Sequence, residues 1–203
     1  MFTGIIEAQG RIAAVEAVGG DVRMTIVEAG GYLADARLGD SIAVNGVCLT
    51  AVVFVENGFV ADLSAETLAA TTAGEWKVGQ TVNLEKALTP AKPLGGHLVS
   101  GHVDGVGHLV EKLEDARGWR LTFEAPGPIA RYIARKGSIT IDGISLTVNA
   151  VDHRHFGVMI VPHTWTHTSL GGLTVGGAVN LEVDLIARYL ERLLAAREED
   201  KSI

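Results

Sequence analysis

A thiol and a hydroxyl occupy the same place in two matching stretches of this chain. Cys48 lies in Val44 to Thr50, V-N-G-V-C-L-T, and Ser145 lies in Ile141 to Thr147, I-D-G-I-S-L-T, 97 residues later. At the same offset Ile5 corresponds to His102, Gly39 to Lys136, Glu66 to His163 and Ala87 to Asp184, so titratable groups collect in the second copy. Thiol, hydroxyl, imidazole, amine and carboxylate are the groups of nucleophilic and proton-transfer chemistry. Their uneven placement on a shared scaffold suggests two pockets of related shape and unequal chemistry.

Other chemistries lack their motifs. Gly101, Gly105 and Gly107 are wrongly spaced for a dinucleotide fingerprint and no helix is expected after them, and no G-x-x-x-x-G-K-[ST] phosphate loop occurs. His163 and His167 stand four apart on an expected helix, but a third ligand of matching geometry is not evident, and His97 and His102 are five apart on a loop and strand start. No metal is expected. With 17 basic and 24 acidic residues the net charge is -7, which argues against nucleic acid and anionic membrane as partners. The longest apolar run, Val47 to Val55, is interrupted by Thr50 and too short to span a bilayer, and the opening Met1-Phe2-Thr3-Gly4 lacks the basic start of a signal peptide. A single cysteine precludes an internal disulfide and fits a reducing, cytoplasmic compartment.

The elements that must position these groups are also written twice. Sliding the chain by 97 residues pairs 1–85 with 98–182 without a gap, and 20 of the 85 positions are identical. A unit of that length can enclose its own core, unlike short solenoid repeats, and 47% apolar residues supply one to each half. Strands are expected at Gly4 to Val15, Asp21 to Val27, Asp40 to Val44, Cys48 to Val55, Gly58 to Leu63 and Thr81 to Lys86, and again in the second half. Asn45-Gly46 and Asp142-Gly143 predict tight hairpin turns. Short strands so punctuated suit a small antiparallel barrel better than alternating βα units. Helical patches are expected at Tyr32 to Leu38 and Ala65 to Thr72, with counterparts at Ile129 to Arg135 and Pro162 to Ser169. The proline- and glycine-bearing stretch Thr89 to Gly96 is the linker. Asp184 to Arg197 has no counterpart; apolar residues at 186, 189, 190, 193 and 194 line one helical face, to be buried on its own barrel or on a partner subunit.

The opening M-F-T-G-I-I, Leu94 to Gly105 (L-G-G-H-L-V-S-G-H-V-D-G), the paired N-G-V-C-L-T and D-G-I-S-L-T, and Val179 to Asp184 (V-N-L-E-V-D) resemble the α-chain type of riboflavin synthase over essentially the whole chain, Met1 to about Arg197. The resemblance implies an all-β fold: two tandem six-stranded Greek-key barrels related by internal duplication, 1–93 and 94–183, and a C-terminal α-helix, 184–203, that assembles a homotrimer. It implies a transferase that needs no cofactor. Two molecules of 6,7-dimethyl-8-ribityllumazine exchange a four-carbon unit, giving one riboflavin and one 5-amino-6-(ribitylamino)pyrimidine-2,4-dione. A reaction between two identical substrates accounts for a duplicated binding fold, and catalysis is expected where the first barrel of one subunit faces the second barrel of its neighbour. The alternative within the fold is a non-catalytic lumazine- or flavin-binding protein. Association with lumazine synthase belongs to the same set of expectations.

Carried over by position, the resemblance puts the first lumazine against Gly4, Ile5 and Ile6, then Cys48, Leu49 and Thr50, then Asp62, Leu63, Ser64, Ala65, Glu66 and Thr67. The second lies against Gly101, His102 and Val103, Lys136, then Ser145, Leu146 and Thr147, then Met159, Ile160, Val161, Pro162, His163 and Thr164. Strand-end backbone and threonine hydroxyls suit a pyrimidinedione edge, and holding two rings at reactive distance supplies much of the rate. The catalytic candidates are His102 for proton transfer, Ser145 and Cys48 for addition to a ring carbon, Asp184 to orient Ser145 or His102, and Lys136.

Overall fold

The computed structural model describes residues 1–199 and carries the repeat into three dimensions. The first half holds β1 (Ala8–Val18), β2 (Asp21–Val27), β3 (Ser41–Val44), β4 (Val47–Thr50), β5 (Val53–Val55), β6 (Gly58–Leu63), α1 (Ala65–Ala70) and β7 (Thr81–Lys86). The second holds β8 (Gly105–Asp115), β9 (Gly118–Glu124), α2 (Gly127–Ala130), β10 (Ser138–Ile141), β11 (Ile144–Asp152), β12 (His155–Ile160), α3 (Pro162–His167) and β13 (Ala178–Val183). The second half closes as a six-stranded barrel in the order β10-β11-β12-β9-β8-β13. In the first half the same path reads β4-β3-β7-β1-β2-β6-β5, because the strand matching β11 is interrupted at Ala51 and Val52. At the equivalent place β11 stays continuous but shifts register between Val148 and Ala150. The irregularity in β1 between Ile12 and Ala14 recurs in β8 between Leu109 and Glu111.

Barrel interiors form where alternate strand residues point inward. Ile12, Met24, Ile26, Ile42, Phe59 and Leu63 fill the first, and their counterparts Leu109, Leu121, Phe123, Ile139, Phe156 and Ile160 fill the second. All are essentially inaccessible to solvent.

The two glycine turns join the barrels. Asn45 and Asp142 take φ of 44° and 46°, and Gly46 and Gly143 take 78° and 80°, the left-handed pair that a two-residue hairpin turn needs. The turns then pack tip to tip: a Cβ on Gly46 would lie 2.7 Å from the Gly143 amide nitrogen, and one on Gly143 2.8 Å from that of Gly46. Around them a hydrogen-bond network runs in both directions. Asn83 Nδ2 donates to the Asp142 carbonyl and Asn180 Nδ2 to the Asn45 carbonyl, each at 2.9 Å. The amides of Asn83 and Asn180 donate to the side chains of Asn45 and Asp142. Ser169 N–H donates to Asn83 Oδ1 and Thr72 N–H to Asn180 Oδ1. Buried polar groups satisfied this completely favour one relative placement of the barrels.

Two expected elements differ. Tyr32 to Leu38 forms turns rather than a helix, and its counterpart is helical only over Gly127–Ala130. Pro128 presets helical φ at the first turn of α2, whereas Gly31 at the matching place takes φ of 72°, outside the helical region. The last element, α4 (Leu185–Glu199), follows the expected amphipathic pattern; residues 200–203 of that expected segment lie outside the described residues. α4 is tied to the second barrel by Arg131 with Glu191 at 2.5 Å and by Arg188 with Asp104 at 2.6 Å. Its apolar face is open: Ile186, Tyr189 and Leu193 are 70% exposed or more.

Candidate functional site

A buried glutamate at the end of each barrel's last strand organises the candidate sites. Glu85 Oε1 accepts the Thr3 amide and hydroxyl, both at 2.7 Å, and Oε2 accepts the Gly4 amide at 2.9 Å. Glu182 repeats this with the Ser100 amide and hydroxyl at 2.7 and 2.6 Å and the Gly101 amide at 2.9 Å. A carboxylate accepting three hydrogen bonds fixes a loop tightly. Burial pushes the Glu182 carboxyl up, and the bonds from Ser100 and Gly101 together with the charge of Arg188 act against that rise.

Each anchored loop then reaches across to the other barrel. The Gly4 carbonyl accepts the Ser145 amide at 2.7 Å, and the Gly101 carbonyl accepts the Cys48 amide at 2.9 Å. Ile6 packs against the core of the second barrel and Val103 against that of the first. The approach is close enough to demand glycine: a Cβ on Gly4 would sit 2.5 Å from Ser145 Cβ, and one on Gly101 2.7 Å from Cys48 Cβ. The leading segments also pair with each other, Phe2 N–H to Val99 O and Val99 N–H to Phe2 O. The expected grouping of Gly4, Ile5 and Ile6 with Cys48 is therefore not what the chain forms. Gly4, Ile5 and Ile6 go with Ser145, and Gly101, His102 and Val103 go with Cys48.

Ser145 has a partner that the sequence reading missed. Its Oγ lies 2.7 Å from His97 Nδ1, and His97 Nε2 lies 3.3 Å from Thr140 Oγ1. Gly96 sits over the same hydroxyl, where a Cβ would come within 3.0 Å of Ser145 Oγ. Burial pulls the His97 imidazole below its ordinary value, with the Asp184 carboxylate acting in the opposite direction. The ring is thus held neutral near pH 7. With Nε2–H donating to Thr140, Nδ1 can accept the serine proton. Asp184 faces His97 electrostatically, while its Oδ1 accepts the Ile186 amide at 3.0 Å as the chain enters α4. His97 left no trace in the repeat because its counterpart would precede Met1. The available signal was its place beside the linker glycines, one step before the second copy begins.

The remaining candidates separate into several environments. The His102 imidazole is exposed, its amide donates to Ser100 Oγ at 3.3 Å and its carbonyl accepts from Arg188 at 2.9 Å. Lys136 is exposed and adopts φ of 68°, where the first copy has Gly39 at 87°. A lysine in the left-handed region is strained, and such strain concentrates at functional sites. Cys48 is half-buried and free. Thr50, at the end of β4, and Thr147, within β11, are exposed, Leu49 is buried and Leu146 packs on the second core. Leu63 and Ile160 are interior residues that can offer a ligand only backbone. Asp62 is engaged by Arg23 through two bonds of 2.7 and 2.8 Å. Ser64 caps α1 by accepting the Thr67 amide at 3.2 Å, with exposed Ala65 and Glu66 in the first turn. At the matching place Val161 precedes Pro162 without a side-chain cap. His163 stacks on His167 at 4.1 Å, and Thr164 adjoins Trp165, which stacks on Trp119 at 4.0 Å. Among the described residues no three His, Cys, Asp or Glu side chains are placed to hold a metal. Met159 borders an apolar cavity of about 420 Å³ on the outer wall of the second barrel, among Thr122, Ala150 and Gly157, away from Ser145 and His97.

Two stretches of the chain, residues 3–87 and 100–184, match the lumazine binding domain. Riboflavin synthase of Photobacterium phosphoreum is 50% identical over 202 residues, covering 99% of this chain and 93% of that protein. Riboflavin synthase of Bacillus subtilis is 38% identical over 202 residues, covering 100% and 94%. Among solved structures, LumP complexed with riboflavin superposes with a TM-score of 0.84 at 25% identity, over 90% of this chain and 99% of that one. LumP complexed with 6,7-dimethyl-8-(1'-D-ribityl) lumazine has the same fold, with a TM-score of 0.82 at 24% identity.

Proposed function

The chain belongs to the riboflavin synthase family built on the lumazine binding domain, and we propose on that premise that it converts two molecules of 6,7-dimethyl-8-ribityllumazine into riboflavin and 5-amino-6-(ribitylamino)pyrimidine-2,4-dione. The observation that carries this reading is the crossed pair of loops. Gly101 to Val103 over Cys48 and Gly4 to Ile6 over Ser145 make two related sites for two copies of one substrate. Positioning two rings face to face accounts for much of the acceleration, since well-oriented reactants gain roughly 7 to 11 kcal/mol over free encounter.

The rest is addition and proton transfer. Ser145, its proton accepted by neutral His97, adds to an electrophilic ring carbon, and Asp184 stabilises the imidazolium that results. His102, exposed over the Cys48 site, exchanges protons with the acidic methyl of the other ring, and Lys136 offers a cation at the rim. The open apolar face of α4 supports a homotrimer in which the first barrel of one subunit meets the second barrel of the next. Leu193→Asp should then yield monomers by sedimentation, and a persistent trimer would refute that assembly. A cytoplasmic location rests on the single, unpaired Cys48, and no described helix is long and apolar enough to cross a membrane. Association with lumazine synthase belongs to the same proposal.

The test mixes the purified chain with 6,7-dimethyl-8-ribityllumazine, without metal or nucleotide, and follows riboflavin by absorbance. One riboflavin per two lumazines consumed is expected. Tight binding without turnover would favour a non-catalytic flavin- or lumazine-binding protein, the reading that likeness to LumP supports.

A further inference from the structure

Each crossed loop is fastened at its far end by a cation that the repeat does not predict. In the second copy Arg188, on α4, places an Nη at 2.6 Å from Asp104 and 2.9 Å from the His102 carbonyl. Asp104 in turn accepts the Val183 amide at 2.7 Å, so one carboxylate joins the loop, the last barrel strand and α4. In the first copy Lys92, in the linker, lies 2.7 Å from Glu7 and 3.4 Å from Glu85, and donates to the Lys86 carbonyl at 3.3 Å. Glu7 and Asp104 correspond at the 97-residue offset, as do Glu85 and Glu182. The cations do not, since Lys92 corresponds to Tyr189 and Arg188 to Ala91. Two different stretches of chain have thus delivered a positive charge to the same place. Arg188 Nε is buried and without a hydrogen-bond partner among the described residues. An unsatisfied buried donor is costly, so the guanidinium stays there for what its Nη holds.

We propose that Arg188 and Lys92 are positioning residues for the two lumazine sites, each clamping the loop that crosses to the other barrel and so setting His102 over Cys48 and Ile5 over Ser145. The proposal rests on the reading of these loops as substrate-binding. The clamp of the second copy has an added consequence: Arg188 stands on the helix whose apolar face awaits a partner, so docking of α4 and geometry of the Gly101 to Asp104 loop are mechanically one event.

The test compares Arg188→Met with Arg188→Lys in the full-length protein, by amide hydrogen exchange over 99–104 and at Cys48 and by lumazine turnover. In Arg188→Met, exchange at Ser100, Gly101 and the Cys48 amide should accelerate at least tenfold, and kcat/KM should fall about thirtyfold, mostly through KM. Arg188→Lys should restore both to within about fivefold, because Lys92 does the equivalent work with an ammonium. Asp104→Asn, which retains an oxygen for the Val183 amide, should move both readouts in the direction of Arg188→Met and serves if that variant does not fold. Unchanged exchange and kcat/KM in Arg188→Met, or a lysine variant as impaired as the methionine variant, overturns the proposal. If the unsubstituted protein turns over no lumazine, the function assigned above fails, and the exchange measurement still decides whether the clamp exists.

Discussion

At the contact between the barrels equivalent residues make equivalent bonds: Asn83 donates to the Asp142 carbonyl as Asn180 does to that of Asn45, the Ser169 amide donates to Asn83 as the Thr72 amide does to Asn180, and Gly46 and Gly143 pack on each other. Over the candidate sites they do not: Ser145 has His97 where Cys48 has no hydrogen-bonded imidazole among the described residues, and Lys136 stands in for Gly39. A contact that maps onto itself constrains both copies at once, because a change on one side leaves an unmatched group on the other. A site facing one of two substrates in different roles carries no such restriction. The difference teaches where duplication still limits this chain and where the copies have been free to diverge.

The largest effect should come from breaking the symmetric contact. Gly46→Ala places a methyl 2.7 Å from the Gly143 backbone at a φ that L-residues disfavour. Strain and overpacking together should cost about 4 kcal/mol, a fall in melting temperature of roughly 10 °C in a chain of this size. Gly79→Ala is the control, with positive φ but nothing within 4 Å, and should lose only about 1 kcal/mol. Equal losses by calorimetry would mean that backbone conformation, not barrel contact, selects glycine.

One position inside the contact departs from symmetry, and it gives the next largest effect. Asn45 in the first copy is Asp142 in the second, and full burial raises the Asp142 carboxyl to about 7. An acid raised in the folded state binds its proton more tightly there than in the unfolded chain. Its contribution is therefore fully present below pH about 4 and is lost as pH climbs to about 7. Asp142→Asn keeps an oxygen for the Asn180 amide, as Asn45 does for Asn83. The variant should nearly match the parent at pH 4 and exceed it by about 4 kcal/mol at pH 8. Denaturant melts across that range check this, and a pH-independent difference would contradict it. The reverse change, Asn45→Asp, should import the same pH dependence into the first copy.

Much of this was legible in the residues. The 97-residue offset gave the two barrels and nearly every strand, since alternation and glycine turns are local signals. What it could not give is which barrel each leading loop completes. A shift by 97 maps Gly4 on Cys48 to Gly101 on Ser145, and Gly4 on Ser145 to Gly101 on Cys48, so the repeat is equally content with either. The cross-barrel bonds decide between them, Ser145 N–H to the Gly4 carbonyl and Cys48 N–H to the Gly101 carbonyl, with Ile6 and Val103 packed on the opposite cores. His97, Lys92 and Arg188 lie outside the strict repeat, so comparison of the two copies gave them no role, and His97 entered only as half of a weak metal spacing. Glu85 and Glu182 were visible, as identical charged residues in an apolar strand end, but read as strand rather than as anchors.

Within the divergent sites, Ser145→Ala should lower kcat about a hundredfold, equivalent to about 2.7 kcal/mol, with KM changed less than threefold. His97→Gln should match it, and the double variant should lose little more, since the two act as a unit. Cys48→Ala, lacking such a partner, should cost less than about fivefold. Steady-state kinetics with lumazine decide, and equal losses at Cys48 and Ser145 would erase the asymmetry on which the role of Ser145 rests.

The smallest effect is the one that separates stability from function. Lys136 holds φ of 68° where Gly39 holds 87°, and a Cβ at Gly39 would meet nothing within 4 Å. Space therefore does not forbid a side chain at either place; only conformation resists it. Lys136→Gly removes the left-handed strain but returns freedom to the unfolded chain, so the net gain should be only about 0.5 to 1 kcal/mol. If the strain is retained because the ammonium faces substrate, turnover should fall about tenfold in the same variant. Gly39→Lys, the mirror change, should lose stability by a similar amount and gain no activity. A Lys136→Gly protein both more stable and fully active would leave the strained lysine without a functional cause and reduce the contrast between the sites to Ser145 and His97.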